Sequence, residues 1–193
     1  MDSAPDLSPE PPQTTTIGRR GFRAGLIAAL PFYLAAGPFG IIFGVLAREA
    51  GLDLGQAMAM SMLVIAGASQ LTALQLLSED APAFIAILGG AVVNLRMAMY
   101  SASLAPWWPG VSQPYRALAA TLLHDQSYAA SLARYRAREE STADRFGFYL
   151  AVGVSTAAIW GVCTWVGATL GAQLPEWLDL TFIVPVVFLA ILA

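Results

Sequence analysis

Four long runs of the chain contain no charged side chain, and this feature decides the class of fold. They cover residues 24–47, 54–78, 97–115 and 146–175. Each run approaches or exceeds the roughly 20 apolar residues that span the hydrocarbon core of a bilayer. Charged residues make up only 12% of the chain, whereas soluble domains carry about 25%. The sequence therefore predicts an all-α fold of the polytopic helical membrane class.

Six hydrophobic segments are expected to cross the membrane. They lie at about residues 24–47, 54–77, 83–105, 116–133, 146–172 and 178–193. The segment 116–133 is short and contains His124 and Asp125 near its centre, so a helix lying flat in the membrane interface is the alternative for it.

The arginines favour a crossing by segment 116–133 and indicate the orientation. Six crossings place two arginine clusters on the same side of the membrane, namely Arg19, Arg20 and Arg23, and Arg134, Arg136, Arg138 and Arg145. Only Arg48 and Arg116 then lie on the opposite side. Because basic residues concentrate in cytoplasmic loops, we expect a cytoplasmic N-terminus.

The chain divides into a tail and one membrane domain. Residues 1–18 are rich in proline and polar residues, so we expect them to form a disordered N-terminal tail. Residues 19–193 are expected to form the transmembrane transporter domain. The last hydrophobic run ends at Ala193 without flanking polar residues, which is typical of a truncated chain.

The first segment contains two prolines that predict a broken helix. Pro31 and Pro38 each lack a backbone donor and clash with a preceding carbonyl. The run Pro38-Phe39-Gly40 is therefore predicted to be unwound, with free N–H groups that receive a substrate carboxylate. A simple kink is the alternative.

Polar residues inside the second and third segments are candidates for substrate contact. Ser69 and Gln70 lie in the second segment, and Asn94 and Arg96 in the third. A charged group at mid-depth is unfavourable by about 3 kcal/mol on insertion scales, so Arg96 marks a functional or interhelical site. We expect Arg96 to bind a substrate carboxylate or to pair with Asp125, and its helix to be buried on both sides.

His124 and Asp125 are candidates for ion or proton coupling, because histidine titrates near neutral pH. A hydrogen-bonded structural histidine is the alternative. An intramembrane hydrolase is a second functional class, with Ser69 and His124 as a nucleophile–base dyad. A third class is a non-transporting assembly subunit in which the buried polar groups only fix helix register.

Glycines and alanines at helical spacing predict close helix packing. They are Gly40 and Gly44, Gly167 and Gly171, and the stripe Gly153, Ala157 and Gly161.

The polar motifs, taken in order, resemble the AzlC family, the large subunit of bacterial branched-chain amino acid exporters. The matching runs are Pro38-Phe39-Gly40, Ala66-Gly67-Ala68-Ser69-Gln70, Val93-Asn94-Leu95-Arg96, Tyr100-Ser101-Ala102-Ser103 and His124-Asp125-Gln126. The resemblance implies export of valine, leucine and isoleucine across the bacterial inner membrane. It also implies a small hydrophobic partner subunit of the AzlD type.

The leading hypothesis is therefore a secondary transporter subunit rather than an enzyme. We expect the amino acid head group to contact Pro38, Phe39, Gly40, Ser69, Gln70, Asn94 and Arg96. No nucleotide-binding motif is present in the sequence, so an ion gradient or a partner would drive export. We expect no cofactor, no metal and no nucleic-acid partner.

Overall fold

The computed structural model describes residues 17–171, and this part of the chain is helical. Three helical stretches in it are long and apolar enough to cross a membrane: Arg19–Glu49, Ala83–Trp107 and Thr142–Gly171. The predicted all-α membrane fold is confirmed. The helices are α1 (Arg19–Glu49), α2 (Leu54–Leu63), α3 (Gly67–Ser78), α4 (Ala83–Asn94), α5 (Arg96–Leu104), α6 (Gln113–Thr121), α7 (Asp125–Ala137) and α8 (Thr142–Gly171). A 3-10 turn, Ala105–Trp107, extends α5.

The two longest helices, α1 and α8, run parallel and in contact from end to end. Near their starts, the N–H of Gly21 donates to Oδ1 of Asp144 at 3.0 Å. Near their ends, Gly171 lies against Val45. We call the end of the bundle where α1 begins the lower end, and the end where it finishes the upper end.

Glycines make this close contact possible, as the sequence predicts. A Cβ added at Gly44 would overlap the α8 backbone, and one added at Gly167 would overlap the backbone of Ile41. Small side chains let two membrane helices approach until their backbones touch. The predicted packing role of Gly40, Gly44, Gly167 and Gly171 is confirmed.

The predicted break in the first helix is wrong, because α1 continues through both prolines. Pro31 and Pro38 lie on the exposed side of α1, opposite the glycine face that packs on α8. Each proline removes only one intrahelical hydrogen bond, and the continuous contact with α8 holds the helix together.

The second segment is a re-entrant hairpin instead of a crossing. Going down, α2 packs on α8, where Ser61 Oγ donates to Thr164 Oγ1 at 3.2 Å. The chain turns at residues 64–66, and α3 then climbs back, with Leu71 and Leu74 in the same apolar cluster as Leu46. Residues 78–80 share a surface pocket with residues 49–51 at the upper end. We call residues 54–78 the upper hairpin.

The fourth segment is a second hairpin, which enters from the lower end. Going up, α6 follows α8, and Tyr149 Oη donates to the carbonyl of Ala119 at 2.6 Å. The chain turns at residues 122–124. On the way down, α7 brings Tyr135 Oη to 2.6 Å from the carbonyl of Arg145, near the start of α8. We call residues 113–137 the lower hairpin.

Arm length explains why neither hairpin crosses. The arms have 10, 12, 9 and 13 residues, which at 1.5 Å per residue is roughly half of a 30 Å hydrocarbon core. The predictions that segments 54–77 and 116–133 cross the membrane are therefore wrong, because each is a hairpin. The sixth predicted segment, 178–193, and residues 1–16 of the predicted tail lie outside the described residues.

The arginine argument failed on segment 116–133 because it assumed that segment 54–77 crosses. When both segments turn back, the two arginine clusters still share the lower end. Arg116, at the start of the lower hairpin, joins them there, so the lower end carries eight of the ten arginines. Arg48 alone lies at the upper end, and Arg96 lies between the two.

The two hairpins belong to an inverted repeat. The upper hairpin and the crossing helix Ala83–Trp107 start at residues 54 and 83, and the lower hairpin and α8 start at residues 113 and 142, each 59 positions later. The two units enter from opposite ends. The helix Ala83–Trp107 lies at the edge of the described bundle, with only Ala86 and Leu104 buried in α4 and α5. The predicted burial of this helix on both sides is thus wrong for the described residues.

Candidate functional site

The tips of the two hairpins border one cavity at half height in the bundle. Its volume is about 330 Å³. On α8, Trp160 packs on Gly67 of the upper tip and Gly153 packs on Leu122 of the lower tip. The two contacts are seven positions apart on α8, so the tips lie about 10 Å apart along the helix axis. The cavity fills the space between them.

Two helix N-termini face this cavity from opposite directions. Gly67 and Ala68 begin α3, Asp125 and Gln126 begin α7, and all four residues line the cavity. The first turn of α3 has no side-chain cap. Because the first N–H groups of a helix lack partners and carry partial positive charge, both tips favour an anionic group between them.

Arg96 brings a full positive charge to the same cavity. Its Nη2 lies 2.9 Å from Oδ2 of Asp125, and the two side chains are 28% and 45% exposed. The predicted pairing of Arg96 with Asp125 is thus present. Nη2 is engaged by Asp125, whereas Nε of Arg96 is buried and has no hydrogen-bond partner in the described residues. The guanidinium therefore keeps a donor for a further acceptor.

One wall of the cavity is apolar. Phe39 of α1, Leu71 of α3 and Trp160 of α8 line it. The ring of Trp160 stacks on Phe43 with centroids 6.1 Å apart, and this contact holds the indole in place. A group of charges facing an apolar wall suits a ligand with one polar end and one hydrophobic end.

Gln70 holds the upper tip together. Its side chain is completely buried, and Nε2 donates to the carbonyl of Met60 at 3.2 Å and to that of Val64. Both carbonyls lie at the end of α2, where a helix leaves acceptors without partners. That of Met60 also accepts from the N–H of Val64, so Gln70 matters most for Val64. The neighbouring Ser69 Oγ is buried and has no partner in the described part of the chain.

His124 holds the lower tip in a comparable way. It caps α7, and its Nδ1 accepts from the N–H of Ser127 at 3.3 Å and lies 2.9 Å from Gln126 Oε1. Its Nε2 lies 3.4 Å from the carbonyl of Gly153. Both ring nitrogens thus have partners within the tip. The dyad that a hydrolase needs is not formed, since Ser69 Oγ bonds to no described residue.

The structure places the nine residues of the sequence hypothesis in two groups. Those that line the cavity are Phe39, Arg96, His124 and Asp125, and those that do not are Pro38, Gly40, Ser69, Gln70 and Asn94. Pro38 is exposed and Gly40 packs on α8. Asn94 ends α4 with its Oδ1 buried and without a partner among the described residues. A substrate contact by any of the nine stays a prediction.

Sequence reasoning missed several residues of the cavity, among them Ala68, Gln126, Thr156 and Trp160. Gln126 lies between His124 and Ser127, which cap the start of α7. This helix-start pattern is visible in the sequence and could have located Gln126. Thr156 and Trp160 lie in the middle of α8, and no local pattern marks them, because only the hairpin tips bring them to the site.

Comparison with known proteins agrees with the fold. The model of the family described as AzlC protein matches residues 31–174. A protein of Archaeoglobus fulgidus, described as an uncharacterized membrane protein, is 31% identical over 175 residues, which are 89% of this chain and 74% of the relative. No solved structure matches the chain. The chain belongs to the AzlC family of membrane proteins.

Proposed function

We propose that this protein is the large subunit of a transporter that exports branched-chain amino acids. The observation that carries the proposal is the cavity at half height, where two helix N-termini and Arg96 face an apolar wall. Transporters bind anionic groups of their substrates at the ends of discontinuous helices near the middle of the bilayer. Membership of the AzlC family supports the same function.

The cavity suits each part of an amino acid zwitterion. The carboxylate is bound by Arg96 and by the N–H groups that begin α3, and the ammonium by Asp125. The aliphatic side chain packs on Phe39 and Trp160. A volume of about 330 Å³ lies at the small end of the roughly 300–1,000 Å³ typical of ligand pockets, as expected for a substrate of this size.

Asp125 and His124 are proposed to couple transport to an ion or proton gradient. Both residues line the cavity, and Asp125 is the better placed of the two because its side chain is 45% exposed. His124 is buried within the tip, so its part would be to respond to the state of Asp125 beside it.

The location proposed is the bacterial inner membrane, with the lower end of the bundle in the cytoplasm. Eight arginines at the lower end against one at the upper end support this orientation. The N-terminus is then cytoplasmic. An AzlD-type partner subunit is proposed from the family alone.

Efflux from proteoliposomes tests the proposed function. Vesicles loaded with radiolabelled leucine would contain this chain with the small membrane protein that co-purifies with it, the partner alone, or the chain alone. We expect leucine release well above that of protein-free, leucine-loaded vesicles only when this chain is present. Release that is the same with the partner alone would reject transport by this chain and favour the assembly role.

A further inference from the structure

Thr156 lies on α8 between the contacts made by the two hairpin tips. It lies three residues above Gly153, which packs on the lower tip, and four residues below Trp160, which packs on the upper tip. Its side chain is only 4% exposed and lines the cavity. Thr156 therefore forms part of the cavity wall between the two tips.

The hydroxyl of Thr156 has no hydrogen-bond partner among the described residues. Its neighbours on α8 do have one: Ser155 Oγ donates to the carbonyl of Ala151 at 2.5 Å, and Thr169 Oγ1 to that of Val166 at 2.8 Å. Hydroxyls in helices commonly bond back in this way. A buried hydroxyl without a partner is unfavourable, and a ligand in the cavity would satisfy it.

We propose that Thr156 is a substrate-binding residue whose hydroxyl donates a hydrogen bond to the carboxylate of the amino acid. The proposal rests on the proposed function and adds a residue to its site. A hydroxyl can donate or accept, and its surroundings decide between the two. Arg96 and Asp125 both line the cavity and offset each other's charge. The N-termini of α3 and α7 add positive potential between the tips, which favours the carboxylate as the group that binds there.

Calorimetric titration of the purified protein, with its co-purifying partner, tests this assignment. The ligands are leucine and 3-methylbutylamine, which keeps the ammonium and the side chain but has no carboxyl group. Thr156→Val removes the hydroxyl at nearly constant shape and should weaken leucine binding roughly tenfold or more, as expected for a hydrogen bond to a charged group. Thr156→Ser keeps the hydroxyl and should bind leucine nearly as the wild type does.

Thr164→Val is the matched control. Thr164 is buried on the same helix, but its hydroxyl bonds to Ser61 away from the cavity. We expect this variant to bind leucine like the wild type, and Thr156→Val to bind 3-methylbutylamine like the wild type. Gel filtration of each variant checks that it is folded.

Three results would overturn the assignment. Unchanged leucine binding by Thr156→Val excludes the hydrogen bond. Equal weakening of leucine and 3-methylbutylamine binding shows that the carboxylate is not the partner. Loss of binding by Thr156→Ser shows that the hydroxyl is not what matters. Wild-type protein that binds no leucine at all would instead reject the proposed function, and this assignment with it.

Discussion

Arg96 and Asp125 join the outer crossing helix to the tip of the lower hairpin, with Nη2 and Oδ2 2.9 Å apart. A short ring stack continues the same contact, because Tyr100 lies over Tyr128 with centroids 4.0 Å apart. The ion pair is thus part of the cavity and also part of the interface that positions the lower tip. A substrate that binds to Arg96 would therefore alter the ion pair that holds the lower tip.

Replacing Arg96 with lysine should reduce export while the protein still folds. Lysine keeps the positive charge and loses the planar set of donors that binds a carboxylate at two points. We expect leucine efflux to fall roughly tenfold or more. Arg138→Lys, in the exposed segment after α7, is the control and should leave efflux unchanged. Full efflux by Arg96→Lys would remove Arg96 from substrate recognition.

Gln70→Leu should destabilise the upper tip. The change leaves the carbonyl of Val64 without its side-chain donor, while that of Met60 keeps the N–H of Val64. Loss of a donor to a buried group costs about 1–3 kcal/mol. Gln75→Leu is the control, because Gln75 lies on the same helix and bonds only to exposed Glu79. Unfolding by denaturant in detergent should show the loss for position 70 alone. Equal stability of the two variants would contradict the capping role.

Gly44→Ala should separate α1 from α8. A Cβ at Gly44 would overlap the backbone of Thr164 and Ala168, whereas one at Gly37 would meet only Cys163 Sγ at 3.6 Å. We expect Gly44→Ala to lose about 1–3 kcal/mol, as for an overpacked core. Gly37→Ala should be neutral or stabilising, since alanine favours helix. The same unfolding assay compares them, and a Gly44→Ala variant as stable as Gly37→Ala would contradict the packing.

The fold class followed from the sequence because hydrophobic run length and charge depletion are physical requirements of the bilayer. The glycine pairs likewise predicted close helix packing, but not that α1 and α8 are the two helices that pack together. Run length alone could not tell a crossing from a hairpin, because the charge-free run 54–78 is long enough for either. The difference lies in two short unwound turns, residues 64–66 and 122–124.

The prediction of a break in α1 was wrong for a similar reason, because a local pattern was read without its tertiary contacts. Pro31 and Pro38 are the strongest local signals against a helix, yet α8 supports α1 through both of them. The real breaks carry weak signals, and buried side chains stabilise them: Gln70 at the upper tip, and His124 with Ser127 at the lower tip. Which polar residues face the cavity depends on those turns, so the sequence pointed to the right segments and mixed capping residues with cavity residues.

The measurement that tests the two hairpins most directly is labelling of single cysteines from outside the cell. In a Cys163→Ala background, the probes are Leu54→Cys, Glu79→Cys, Gln113→Cys and Glu139→Cys, all at exposed positions flanking the hairpins. A membrane-impermeant maleimide should label positions 54 and 79 alike, and positions 113 and 139 only after the membrane is opened. A chain that crosses six times would instead show equal labelling of positions 54 and 113, and equal protection of positions 79 and 139. That pattern would contradict the re-entrant hairpins and the cavity between their tips.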